Sequence, residues 1–460
     1  MNNLPVFKIN ETKTFKFSNE QYYKLEKEYN RYVYYKSLIK QIEKILNITD
    51  VSEFNNINNN NNRKKYENKN ILDRFILECI NHGITPYIEI PQINNPIPNL
   101  NNHNPQIDKH NPQIDNHNDN DNNRELNFEL LSNNLFFNKI LDNTSRLHNT
   151  SYYKKMLCEY NEKKIRITPE KQLQIDKIII DTNIKFTKQC QLESSAYKTT
   201  MTSFYKSISC SITLQNNEYF IIKYREYIKI INLNRYYKII KNYDKPYPYD
   251  IIRMLLRYSI FDMSSQQWSI GNNLYEDISE IFNISFEMFA SPLNFNMNMF
   301  CSIFYDTDHI FGSIGSFYSL DVDKFLYQNI KGVFFNPPYL PLLMNNSINQ
   351  CIKLLDDMNK IDNDFTVVSF LPNWDDAEYI KKFIGSKYTV DSRIINKGNY
   401  ILQEKDKGKL INGTFDLLLI VLNSIHMKTT SDKKNIIVGG IDKIIDIMKI
   451  ESKEAFLRQK

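Results

Sequence analysis

Gly332-Val-Phe-Phe335 running into Asn336-Pro337-Pro338-Tyr339 decides the fold of this 460-residue chain. The apolar run reads as a strand buried on both faces. Two consecutive prolines end it, because each fixes φ and removes a backbone donor. In an open α/β sheet, ligands bind at the carboxyl ends of the strands. The turn that sits there offers the Asn336 side-chain oxygen and a rigid Pro337 carbonyl, both of which accept hydrogen bonds.

Working outward, similar short runs recur at residues 285–289, 300–304, 365–371, 388–394, 415–421 and 435–438. Helical stretches such as residues 342–358 separate several of them, which predicts a parallel α/β sheet. The closing runs lack a clear helical crossover, so an antiparallel edge is expected. This α/β domain is assigned to residues 281–445, with a C-terminal tail at 446–460.

Upstream, apolar and aromatic residues at three- and four-residue steps predict a long helix over 20–46. A shorter helix is expected over 71–80, completing a helical segment at 1–90. Residues 91–123 are rich in Asn, Pro and Asp, lack hydrophobic periodicity and read as a disordered insertion. Their repeated His-Asn-Pro-Gln-Ile-Asp units (His103 and His110 begin the copies) are read as gene slippage, since no second ligand type is spaced to hold a metal. Residues 124–280 read as a mainly helical accessory domain. It carries a hairpin turning at Gln215-Asn216-Asn217-Glu218 and a basic-faced helix over 224–243.

The formal charge of +5 permits an anionic partner without arguing for one. Six cysteines form no Cys-x-x-Cys pair, which predicts reduced thiols in an intracellular protein without a metal site. No signal peptide or membrane-length apolar run is visible.

The turn's chemistry suits an exocyclic aromatic amine. Such an amine is a poor nucleophile, because its lone pair is delocalised into the ring. Acceptors for its two hydrogens, Asn336 and Pro337, let the lone pair turn toward a methyl donor. Tyr339 can stack on a base taken out of its helix. Catalysis would then rest on positioning and electrostatics, with no metal and no covalent intermediate. The motif alone fits adenine, a guanine amine or a glutamine side chain equally. The glycine-rich loop common after the first strand of such sheets is absent, and Ala290-Ser291-Pro292-Leu293-Asn294 stands in its place.

Four stretches resemble the cap-specific adenosine N6-methyltransferase family, also called the phosphorylated-CTD-interacting factor family. They begin at Phe289 (Phe-Ala-Ser-Pro-Leu-Asn), Phe300 (Phe-Cys-Ser-Ile-Phe-Tyr-Asp-Thr-Asp), Phe311 (Phe-Gly-Ser-Ile-Gly-Ser-Phe) and Asn336 (Asn-Pro-Pro-Tyr). Leu371-Pro-Asn-Trp374 and Leu255-Leu-Arg-Tyr258 resemble family segments as well, so the likeness covers residues 222–423. It implies a class I, Rossmann-like methyltransferase sheet preceded by a helical accessory domain. It also implies S-adenosylmethionine as cofactor, capped RNA as partner and a nuclear protein. The reaction would be N6-methylation of a cap-adjacent 2′-O-methyladenosine.

By position, the resemblance puts Asn336, Pro337, Pro338 and Tyr339 at the amine and the cofactor. Ser291, Pro292, Asn294, Gly312 and Ser313 fall on the cofactor side, and Tyr339, Trp374 and Arg257 on the substrate side. Read as residues alone, Trp374 is equally a core residue and Arg257 a structural ion pair; Asp306 and Asp308 would either accept the cofactor ribose hydroxyls or cap the next helix, and the cap is the preferred reading. The family motif usually ends in Phe, where this chain has Tyr339, and Pro341 stands where an acidic residue is expected. The two tryptophans, Trp268 and Trp374, lie in separate segments, so no WW domain and no binding to phosphorylated polymerase tails is expected. A methyltransferase for DNA or internal RNA sites, and a catalytically silent RNA-binding relative, are the competing readings. Intact Asn336 and both prolines argue against the latter.

Overall fold

The computed structural model describes residues 8–46, 169–199, 208–241, 248–260, 268–339, 341–374, 376–425 and 431–458. The predicted short helix at 71–80, the insertion at 91–123 and most of 124–206 lie outside them. The chain divides into two units, one made of residues 1–32, 63–84 and 194–460 and the other of 33–62 and 85–193.

The first unit is built on a six-stranded sheet. Strands β6 (Phe286–Glu287), β7 (Met299–Phe300), β8 (Gly332–Phe335) and β9 (Thr366–Pro372) run parallel. β10 (Thr389–Ile395) and β13 (Leu417–Asn423) complete the order β10-β13-β9-β8-β6-β7. β13 is antiparallel to both of its neighbours, so the reversed strand is present but lies one in from the edge, where β10 runs, rather than at the edge as expected.

The sheet is buried on both faces because side chains alternate along each strand. Val333, Phe335, Val367 and Leu371 face one core with α7 (Val322–Tyr327), α8 (Pro341–Lys360) and α9 (Glu378–Ile384), through Phe325, Met344, Ile348, Ile380 and Phe383. Phe334, Val368, Phe370 and Val421 face the other with α5 (Asn272–Phe282) and α10 (Ser431–Arg458).

A four-stranded antiparallel sheet joins β1 (Thr12–Phe15), β2 (Cys210–Gln215), β3 (Tyr219–Tyr224) and β4 (Tyr227–Asn232). The β2–β3 turn lies at the predicted asparagines, with Asn216 and Asn217 both at positive φ. A three-stranded sheet pairs the β11 (Ile401–Glu404) and β12 (Lys409–Asn412) hairpin with β5 (Trp268–Ile270).

The long predicted helix is α1 (Asn19–Leu46). Ser18 starts it, its hydroxyl accepting from the Gln21 N–H at 3.2 Å while the Gln21 side chain accepts from the Ser18 N–H at 3.0 Å. In the second unit, Tyr34 of α1 meets the buried Phe186 of α2 (Pro169–Thr199) edge-on at 5.9 Å.

Two predicted elements differ. Residues 224–243 begin as strand, and only α3 (Leu233–Lys241) is helical. Pairing of Ile230 and Ile228 with Ile221 and Lys223 overrides the helical spacing there. Residues 435–438, expected as a strand, lie inside α10, which continues to Arg458 through most of the assigned tail. Ile437, Ile441, Ile444 and Met448 are buried at four- and three-residue steps, so a helical face gains a core that an isolated strand would not. No helix among the described residues is long and apolar enough to cross a membrane.

Candidate active site

The parallel strands β6, β7, β8 and β9 all end at one edge of the sheet, and the turns that leave them gather most of the predicted site residues. After β8, Pro337 is buried, while Asn336, Pro338 and Tyr339 are half-buried. The Tyr339 hydroxyl donates to Asn336 Oδ1 at 3.0 Å and also lies 3.1 Å from the Phe370 carbonyl of β9. Its ring meets Phe415 edge-on, with centroids 5.9 Å apart. Burial, reinforced by Tyr400, raises the Tyr339 phenol well above its usual range. The group therefore stays protonated at neutral pH, a permanent donor.

Phe415 is itself held. Tyr400 donates its hydroxyl to the Phe415 carbonyl at 2.8 Å, and Gly413 leaves room for the Tyr400 ring, since a Cβ there would lie 2.3 Å from it. Tyr400 and Phe415 lie 61 and 76 residues beyond Tyr339. No local pattern announced them, and only the β10–β13 connection brings them to this edge.

After β6, Ser291-Pro292-Leu293-Asn294 closes on itself. Asn294 Oδ1 accepts from the Ser291 N–H at 2.8 Å, and the Ser291 hydroxyl accepts from the Leu293 N–H at 3.2 Å. The loop is thus rigid without glycine, but it spends those N–H groups internally. Arg235 and Lys238 of α3 tie its far end by donating to the carbonyls of Phe295 and Asn296 at 2.7 and 2.9 Å. Glu287 of β6 accepts from the Asn296 N–H at 3.0 Å, and burial pushes its carboxyl up to about 7.

After β7, Gly312 has φ of 105°, and a Cβ there would lie 2.3 Å from the Asn298 carbonyl oxygen. The position requires glycine for backbone reasons. Ser313 is buried, and its hydroxyl meets that of Ser302 at 2.7 Å. Asp308 accepts from the Tyr258 hydroxyl at 2.6 Å, and burial pushes its carboxyl up to about 7. Neither Asp306 nor Asp308 makes a side-chain helix cap on α6 (Tyr305–Asp308) or on the turn that follows it.

Trp374 follows β9 and packs half-buried against the core on the α8 face. Arg257, near the end of α4 (Pro248–Tyr258), is only 2% exposed. Its guanidinium donates to Glu28 at 2.5 Å and to Asp306 at 3.0 Å, so those carboxylates occupy it. Among the described residues no group of three or more His, Cys, Asp or Glu could hold a metal ion.

What the arrangement offers, then, is a rigid, uncharged acceptor turn on the central strand, flanked by two fixed loops and an aromatic residue. Part of the chain is similar to known proteins. The chain is similar to two mRNA methyltransferases. Over 123 residues it is 32% identical to the Mus musculus mRNA (2′-O-methyladenosine-N(6)-)-methyltransferase and 31% identical to the Homo sapiens protein of the same name. Each match covers 26% of this chain and 16% of the relative, so the matched part is a small share of either protein's length. A family model described as the phosphorylated CTD interacting factor 1 WW domain matches residues 229–404.

That match overturns the expectation that no WW domain is present. The exclusion of a phosphorylated polymerase tail rested on that expectation and falls with it. The expectation looked for two tryptophans within one small segment. The matched span is far longer and contains both, Trp268 opening β5 and Trp374 following β9.

Proposed function

We propose that this chain is an S-adenosylmethionine-dependent methyltransferase acting on the N6 amine of adenine in RNA, with the cap-adjacent 2′-O-methyladenosine as substrate. One observation carries the reading: Asn336-Pro337-Pro338-Tyr339 forms a rigid turn at the carboxyl end of β8, the strand between β6 and β9. The strand order with its single reversed member supports a class I methyltransferase sheet. The names of the two similar proteins supply the substrate.

The residues fit the cofactor's chemistry. The turn carries no charged side chain and presents carbonyl acceptors, which suits a cationic sulfonium beside a neutral amine. When bound, S-adenosylmethionine supplies an electrophilic methyl carbon. Asn336 and Pro337 would accept the two amine hydrogens and turn the lone pair outward, while Pro338 keeps the turn from relaxing. The loops containing Ser291, Pro292 and Asn294, and Gly312 and Ser313, would border the cofactor. Trp374 would stand on the substrate side. Arg257 we assign to the scaffold, because Glu28 and Asp306 already saturate it. Transfer then needs only alignment and a water-poor surface.

The test is mass spectrometry of adenosine after incubating the protein and labelled cofactor with capped and uncapped RNA and with DNA. Label on the N6 of the cap-adjacent adenosine alone is the expected result. Equal label on uncapped RNA or on DNA would remove the cap from the reading. No label on any adenine would end it.

A further inference from the structure

Tyr339 faces Asn336 with a single phenolic proton, yet two carbonyl-type oxygens lie within reach of it, Asn336 Oδ1 at 3.0 Å and the Phe370 carbonyl at 3.1 Å. One proton serves one of them well. The Phe370 carbonyl belongs to a central strand and cannot turn away. The Asn336 carboxamide can, because a half-turn about its terminal torsion exchanges Oδ1 and Nδ2 with almost no change of shape. Asn336 Nδ2 has no protein partner among the described residues.

We infer that the Tyr339 hydroxyl is the group that sets this amide. With its proton given to the Phe370 carbonyl, its oxygen accepts from Asn336 Nδ2, and Asn336 Oδ1 turns outward with both lone pairs free. That orientation presents an acceptor to an incoming amine, whereas the opposite one would set donor against donor. Tyr339 is thus a positioning residue whose hydroxyl, and not only its ring, acts through Asn336. The edge contact with Phe415 and the Tyr400 hydrogen bond behind it hold the ring at this angle. The inference rests on the proposed methyl transfer for its consequence, but not for its geometry.

Two measurements test it on the full chain. The Asn336 side-chain amide resonance, identified in selectively ¹⁵N-labelled protein by its loss in Asn336→Ala, is expected to shift in Tyr339→Phe. An unchanged resonance overturns the inference whether or not the protein methylates anything. In turnover, Tyr339→Phe is expected to lower kcat about fivefold with KM little changed, the factor carried by one neutral hydrogen bond. In an Asn336→Asp background the same change should alter kcat by less than about twofold, because a carboxylate presents oxygen whichever way it turns. Equal losses in both backgrounds overturn the inference and leave the methyltransferase reading standing. A wild-type protein inactive on every adenine substrate defeats that reading, while the resonance still decides the bond.

Discussion

Arg257 and Glu28 form a buried ion pair, Nη2 to Oε1 at 2.5 Å, that joins α4 to the first half of α1. Asp306 and Arg31 extend it at 3.0 and 3.3 Å. Removing one member strands the others, so Arg257→Ala is expected to destabilise the fold by about 3–5 kcal/mol in urea unfolding at pH 7. A loss under about 1 kcal/mol would show the network to be solvated.

The same pair sets an acid limit. Burial alone would raise the Glu28 carboxyl, but Arg257 and Arg31 hold it well below the usual carboxylate range. A depressed folded value means stability that is complete above the unfolded pKa of about 4.3 and is lost as pH falls below it. Unfolding free energy should therefore drop steeply below about pH 4 in the wild type, and the drop should be shallower in Glu28→Gln. Parallel pH profiles would refute this.

Asn336→Ala should lower turnover by roughly 10²- to 10³-fold, the size of one transition-state contact. Among the described residues the half-buried Asn336 side chain is bonded only to Tyr339, so stability should change by about 1 kcal/mol or less. Undiminished kcat would remove Asn336 from the chemistry.

Gly312→Ala meets a backbone carbonyl 2.3 Å away at φ of 105°, and neither can yield. The expected destabilisation is roughly 2–4 kcal/mol, read by thermal unfolding. An unshifted midpoint would mean that the β7 turn tolerates rearrangement.

Gly413→Ala would press the Tyr400 ring off its present position, at a cost of roughly 1–3 kcal/mol. Tyr400 would then release the Phe415 carbonyl, and turnover should fall severalfold as Tyr339 loses its backing. Normal turnover would show that Phe415 does not need this support.

The motif strand was legible in the sequence because two prolines mark its end unambiguously, and β8 stops at Phe335. β9 and β13 were nearly as clear, as continuous apolar runs. α10 was misread because Ile436, Ile437 and Val438 favour strands locally, whereas the buried helical face extends ten residues further on. β11 and β12 escaped notice because each is four residues long and the turn between them is charged. In the site, Asn336 could be singled out from neighbours in the chain. Tyr400, Phe415 and Glu287 could not, since their roles come from contacts between distant strands and loops.

Because β13 runs against β9 and β10, the chain must leave β10 and re-enter β13 at the same edge where Asn336 lies. Residues 396–416 are therefore delivered to the mouth of the site by topology alone, while the sheet beneath is indifferent to their length. The same excursion carries Tyr400, Gly413 and Phe415, so whatever it contributes at the mouth is tied to the support of the reactive turn. Chimaeras in which the excursion is exchanged while Tyr400, Gly413 and Phe415 are kept would separate what is recognised from what is done to it.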